Sequence, residues 1–389
     1  MRYFLAALFF FAILTLWVPA LWPVTVFETG IFTLAAIHLV RARRPPPLSW
    51  PLLALAFATL WGLFQWLAGL ALYPFETKSA ILYWTTLLAV FCIGSSLFSD
   101  AHTRRWFRSA MLWFAFLVSV LATLQTFTSG GLVFWLFPAG YPGIIMGPVL
   151  NRNHYAAFIE AVLPFALYES LRREEGSLLY SAMAASMYAS VIASASRAGT
   201  ILATVEIVVV VTLLWSRGAT AARTVGLSFL RIFILFAAFT AVVGWDSVWN
   251  RFWAPDPMAL RREFAISTLH MISAHPFAGI GLGSWSTAYP HYAIADFGVF
   301  ANQAHCDWLQ WAAEGGIPLA AALLLLFLSA LRPALRTVWG LGVIFVFLHA
   351  TVDYPFSRPA LAAWPILILS MLFASGQDEN SPQRRRGAE

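Results

Sequence analysis

The side chains best placed for chemistry lie between Trp245 and Gly316. Four of the eight histidines (His270, His275, His291, His305) and three arginines (Arg251, Arg261, Arg262) gather there, in a chain that is only 11% charged. In the stretch AHCDWLQWAAEGG at 304–316, a helix puts Asp307, Gln310 and Glu314 on one face, with Trp308, Leu309, Trp311 and Ala312 on the others. His305 then stands at the N-terminal end of that helix. An imidazole takes up a proton near neutral pH, which makes His305 the leading general-base candidate for activating a sugar or alcohol hydroxyl. A second reading fits the same pattern: an interfacial helix whose tryptophans mark a membrane boundary, with His305 as an ordinary helix-end residue.

Arg261 and Arg262 begin a second helical pattern that runs to about Ala274 and is stopped by Pro276. A guanidinium matches phosphate geometry with paired donors, so both are candidate ligands for an anionic group; contact with lipid headgroups explains them equally well. Gly279, Gly281 and Gly283 follow. They are read as a tight turn and not as a dinucleotide fingerprint, because no strand precedes them and no helix clearly opens after them. Arg197, in SASRAG, and Arg152, in NRNHYA with Asn151, Asn153 and His154, sit at membrane edges, where a cation needs a partner or a function. Glu160 and Glu206 fall inside apolar runs and are expected to serve a polar network in the bundle interior. His349 and Asp353, at i and i+4 near the outer end of a span, share one face and are expected to orient an arginine such as Arg358 or Arg197. The histidine spacing suits no metal, so no metal site and no cofactor are expected. Neither a serine nucleophile elbow nor a phosphate-cradling loop occurs.

These groups need a scaffold, and the composition defines it. With 60% hydrophobic residues and apolar runs of about 17 to 22 residues recurring along 389 positions, the chain reads as an all-α polytopic membrane protein. About twelve spans are expected, the first two near 3–22 and 24–40, others over 226–244, 316–332 and 338–353, and the last near 359–375. The run 129–153, rich in Gly and Pro, is expected to be a loop or re-entrant stretch at the outer surface. Seven of the 24 basic residues (Lys78, Arg152, Arg197, Arg251, Arg261, Arg262, Arg358) fall in loops on one side and the rest on the other. By the positive-inside rule both termini are then cytoplasmic, and 245–315 is a large periplasmic loop containing short helices. The basic clusters serve orientation, so nucleic acid is not an expected partner. The N-terminus reads as an uncleaved first span, the two cysteines give no disulfide framework, and 376–389 reads as a disordered cytoplasmic tail after a single membrane domain over 1–375.

Four stretches, in this order and spacing, carry a resemblance: NRNHYAAFIEAVLP at 151–164, SASRAG at 194–199, Arg261 through HPFAGIGLGSW to Trp285, and AHCDWLQWAAEGG at 304–316. The sequence resembles the bacterial membrane glycosyltransferases related to O-antigen ligase and O-antigen polymerase. The resemblance implies transfer of a glycan from an undecaprenyl-diphosphate carrier to a hydroxyl of a glycolipid, glycan or protein acceptor, at the periplasmic face of the inner membrane, without a metal or nucleotide sugar. It implies that His305 corresponds to the essential loop histidine and that Arg197 and Arg261 hold the diphosphate. Arg262 and Arg152 are further diphosphate-binding candidates, and Asp307, Glu314, Asp353 and His349 are supporting polar groups. Cys306 stands where relatives commonly have Asn. A polymerase of the same family fits equally well, and a secondary transporter is the alternative from another class, although no paired halves are visible.

Overall fold

The computed structural model describes residues 1–41, 46–140, 145–172, 176–218, 226–227, 230–231, 233–234, 259–295, 298 and 300–379, and the chain is mostly helical. In order, the described helices are α1 (Arg2–Leu14), α2 (Trp22–Arg41), α3 (Trp50–Leu67), α4 (Pro74–Leu97), α5 (Ala101–Thr128), α6 (Arg152–Arg172), α7 (Ser177–Ala193), α8 (Arg197–Ser216), α9 (Ala259–Ala274), α10 (Trp285–Tyr292), α11 (Asp307–Thr337), α12 (Gly342–His349) and α13 (Pro359–Glu379). A 3-10 turn, Pro355–Ser357, separates the last two, and a two-stranded ribbon pairs β1 (Leu132–Val133) with β2 (Phe137–Pro138) after α5. The ribbon agrees with the expected loop over 129–153.

Six of these helices (α2, α3, α4, α5, α8 and α11) are long and apolar enough to cross a bilayer, and shorter apolar helices accompany them. A multi-pass membrane protein follows, but the spans are less uniform than the run lengths imply. The first expected span is only the 13-residue α1, because Pro19 and Pro23 follow and the chain turns before Trp22. The run 338–353 yields only the eight-residue α12, about 12 Å long, which is too short to cross a bilayer core. The span over 226–244 lies mostly outside the described residues.

At the centre is α6. It packs against α5, α7, α8 and α12, and its middle turns are buried all round. Two residues admit that crowding. Pro164 removes one helical hydrogen bond, and Gly342 brings α12 so close that a Cβ there would stand 2.6 Å from the Glu160 carbonyl oxygen. Aromatic contacts close the adjoining core: Phe10 stacks on Phe114 at 4.1 Å, and Trp364 of α13 meets the Phe158 ring of α6 at 4.9 Å.

The site-bearing segment is held by a break in α11. Gly316 is non-helical (φ 70°, ψ −178°), so the carbonyls before it lose their helical donors. Three of them find partners from other segments. Ala313 accepts from the Ile280 amide (3.0 Å), Glu314 from the Gly281 amide (3.0 Å) and Gln65 (2.8 Å), and Gly315 from the Trp61 indole (2.8 Å). In return the Ile317 amide donates to the Pro276 carbonyl at 2.8 Å. This accounting is what permits irregular backbone at the end of a bundle.

Candidate functional site

His305 sits in the turn before α11 with a left-handed backbone (φ 55°), an uncommon conformation for a residue with a Cβ and one that concentrates at functional sites. Its ring stacks on Phe264 of α9, centroids 5.6 Å apart and planes 10° apart, and meets the edge of Tyr354 at 4.7 Å. Its Nδ1 faces Asp353 Oδ1 at 3.6 Å. Asp353, buried in the turn beyond α12, is also approached by Arg261 of α9, whose guanidinium stands 3.7 Å from Oδ2 and donates to the Val352 carbonyl at 2.8 Å. Two remote segments thus converge on the carboxylate of a third.

Burial pushes the Asp353 carboxyl up, but His305, His154, Arg261 and His349 around it outweigh that and hold it down at about 2. An ionised carboxylate opposite Nδ1 favours the tautomer with the proton on that nitrogen, leaving Nε2 as the ring's acceptor.

The N-terminus of α6 and the turn before α8 build the adjoining wall. His154 is buried with its ring against Tyr354 at 4.7 Å, and Asn151 donates to the Tyr354 hydroxyl at 3.2 Å. Ser196 caps α8 by accepting from the Gly199 amide (3.1 Å) and donates its hydroxyl proton to Asn153 (2.8 Å), which ties the two helix starts together. That cap places Arg197, half-buried, at the first position of α8. Arg152 and Arg262 are exposed, and neither is among the ion-pair partners of Asp353.

The remaining acids are structural in their contacts. Asp307 accepts from the Phe356 amide at 2.9 Å, while its own amide donates to the carbonyls of Ala350 (3.0 Å) and Asp353 (3.2 Å), locking α11 to the Asp353 turn. Glu314 accepts from the amides of Gly283 (2.9 Å) and Trp285 (3.2 Å) and from Gln310 (3.1 Å). Glu263 accepts from Ser267 (2.7 Å), the Tyr289 hydroxyl and the Ile294 amide (3.2 Å), fixing α9 to α10. Deeper in the bundle, both oxygens of Glu160 lie 3.0 Å from His349 Nδ1, and neither oxygen of buried Glu206 is hydrogen-bonded among the described residues.

Several expectations are altered. Asp353 does not turn toward Arg358 or Arg197; its arginine is Arg261. His349 does not share that task, because Glu160 takes its ring. The tryptophans of the 304–316 helix have partners within the bundle: Trp308 donates to the Phe347 carbonyl at 3.0 Å, and Trp311 is buried against Phe356 at 5.4 Å. A helix does open after the glycine turn, since α10 begins at Trp285, yet the described element before the turn is α9 and not a strand, and the glycines are a turn as expected (φ 68°, 99° and 76°). Phe264, Tyr354 and Glu263 were not singled out from sequence. Only Phe264 left a signal, one helical turn beyond Arg261 and on the same face. Arg251 lies outside the described residues.

Residues 182–324, from within α7 to within α11, match the family model described as O-antigen ligase. No curated protein matches the chain.

Proposed function

From its likeness to the O-antigen ligase family over residues 182–324, we propose that this chain is a member of that family and a glycosyltransferase moving a glycan from an undecaprenyl-diphosphate carrier to an acceptor hydroxyl. The observation that carries the reading is the convergence of His305 and Arg261 on buried Asp353. His305 Nε2 takes the proton of the acceptor hydroxyl as its oxygen bonds to the anomeric carbon. The bond from that carbon to the diphosphate oxygen breaks, and the carrier diphosphate leaves with the electron pair. Asp353 keeps the ring aimed and stabilises the imidazolium that forms. Arg261 and Arg197 stabilise the charge growing on the leaving diphosphate, with Arg262 and Arg152 as further cations on its approach; this is the electrostatic work that a divalent cation does in other transferases. Asp307 and Glu314 hold the helix and the glycine turn around the site, and His349 braces α12 against α6.

In this reading the His305 end of the bundle faces the periplasm, both termini are cytoplasmic and the protein lies in the inner membrane, supported by the bias of basic residues toward the opposite loops. The acceptor is a glycolipid, a glycan or a protein hydroxyl. A polymerase uses the same site and differs only in its acceptor, the growing repeat-unit chain.

The test is reconstitution of the purified protein with lipid-linked glycan and candidate acceptors. His305→Ala and Arg197→Ala are expected to abolish transfer while remaining folded; full activity in both sinks the mechanism. Transport of the lipid-linked substrate without glycosidic product sinks the assignment as a transferase.

A further inference from the structure

At the end of the bundle away from His305, α5, α6, α7 and the turn before α12 line a small cleft that is partly open to the outside. Its separation from the His305 cluster follows from α6, which runs 21 residues from Arg152 to Arg172, about 30 Å and close to the thickness of a bilayer core. The wall is basic and aromatic, formed by Arg105, Arg108, Tyr168, Tyr180 and Trp339, with Glu169 as its one carboxylate among the described residues.

Arg108 is short of acceptors among the described residues. Its guanidinium lies over the Trp339 ring at 4.7 Å and near Tyr168 at 5.9 Å. Glu169 is 3.6 Å away, beyond hydrogen-bond reach, and the Arg108 Nε is buried with no hydrogen-bond partner. A guanidinium has five donors, and leaving a buried one unmet is costly. Arg105, one turn earlier on the same face, is exposed beside it. Leu112 and Phe165 line the deeper wall with apolar surface.

We propose that this cleft binds the phosphate of an anionic phospholipid, with Arg108 and Arg105 donating to the phosphate oxygens and an acyl chain lying along Leu112 and Phe165. A cation braced by Trp and Tyr at the end of a helix bundle matches the headgroup level of a bilayer, where basic pockets between helices take anionic lipids. The site is independent of the glycosyl-transfer reading.

The experiment is a thermal-unfolding titration of the full chain in detergent micelles with phosphatidylglycerol, run in parallel with phosphatidylcholine and with inorganic phosphate. Phosphatidylglycerol is expected to raise the midpoint saturably and phosphatidylcholine not to. Arg108→Gln and Arg105→Gln are each expected to raise the half-saturating concentration about fivefold, the loss of one arginine near a lipid phosphate. Glu169→Gln removes the competing carboxylate and is expected to lower it. Arg105 is exposed and Glu169→Gln has the opposite sign, so the series decides the matter even if Arg108→Gln fails to fold. Equal half-saturation in the parent, Arg105→Gln and Glu169→Gln, or equal response to phosphatidylcholine, overturns the proposal. A variant-sensitive shift given by inorganic phosphate alone keeps a phosphate site but overturns the lipid as its source.

Discussion

Asp353 accepts the attention of His305 and Arg261 together, so its charge and not its bulk is what the site uses. Asp353→Asn preserves the shape and removes the charge; it is expected to lower transfer on the order of 10- to 100-fold while leaving the fold intact, as measured by initial rates and circular dichroism. The depressed carboxyl, about 2 against an ordinary 3.8, also fixes a sign. A lowered pKa contributes stability in full above about pH 4 and loses it as the pH falls toward 2, by about 2 kcal/mol for this group. Acid unfolding of Asp353→Asn, followed by fluorescence, is therefore expected to lose part of its steepness between pH 4 and 2. His305 and Arg261 were both legible in the sequence as chemistry-bearing types in a polar island. Their partner was not. Helical spacing says that His349 and Asp353 share a face, but it cannot say which distant arginine that face meets, and the structure chose Arg261 over Arg358 and Arg197.

The broken helix α11 and the glycine turn 279–283 form one clamp, with Gln65 at its centre. Fully buried, Gln65 donates to the carbonyls of Ala278 (2.6 Å) and Glu314 (2.8 Å) and accepts from the Leu282 amide (3.2 Å). Gln65→Leu fills the same space but strands an amide and weakens two carbonyls. It is expected to cost about 2–4 kcal/mol, read as a fall in the thermal midpoint. Gly281→Ala is expected to be worse tolerated than an ordinary loop substitution, because its φ of 99° suits only glycine and the new Cβ would stand 2.7 Å from the Ala71 Cα. The break falls at the boundary expected between the 304–316 helix and the span over 316–332, and α9 ends just before Pro276, as expected. The shortness of α12 was not, because a run of apolar residues has the same composition whether it crosses a membrane or packs as two turns against α6.

At the level of the whole molecule, composition alone identified an all-α membrane protein, since 11% charge cannot cover a soluble surface of this size. The number of crossings was less legible, because proline and glycine cut apolar runs into helices of unequal length. The proposed orientation is tested with a background lacking Cys92 and Cys306 and single cysteines at Asn302, beside the His305 turn, or at Ser216, at the far end of α8. A membrane-impermeant thiol reagent added outside intact inner-membrane spheroplasts is expected to label the first and spare the second; the reverse pattern inverts the topology. The convergence on Asp353 has a further consequence, in the order of manufacture. The site draws on residues near 151, 197, 261 and 305, all of which leave the ribosome before Asp353 supplies the carboxylate. A chain interrupted before that point would display its histidine with nothing to aim it, so an incomplete product is idle and not misdirected.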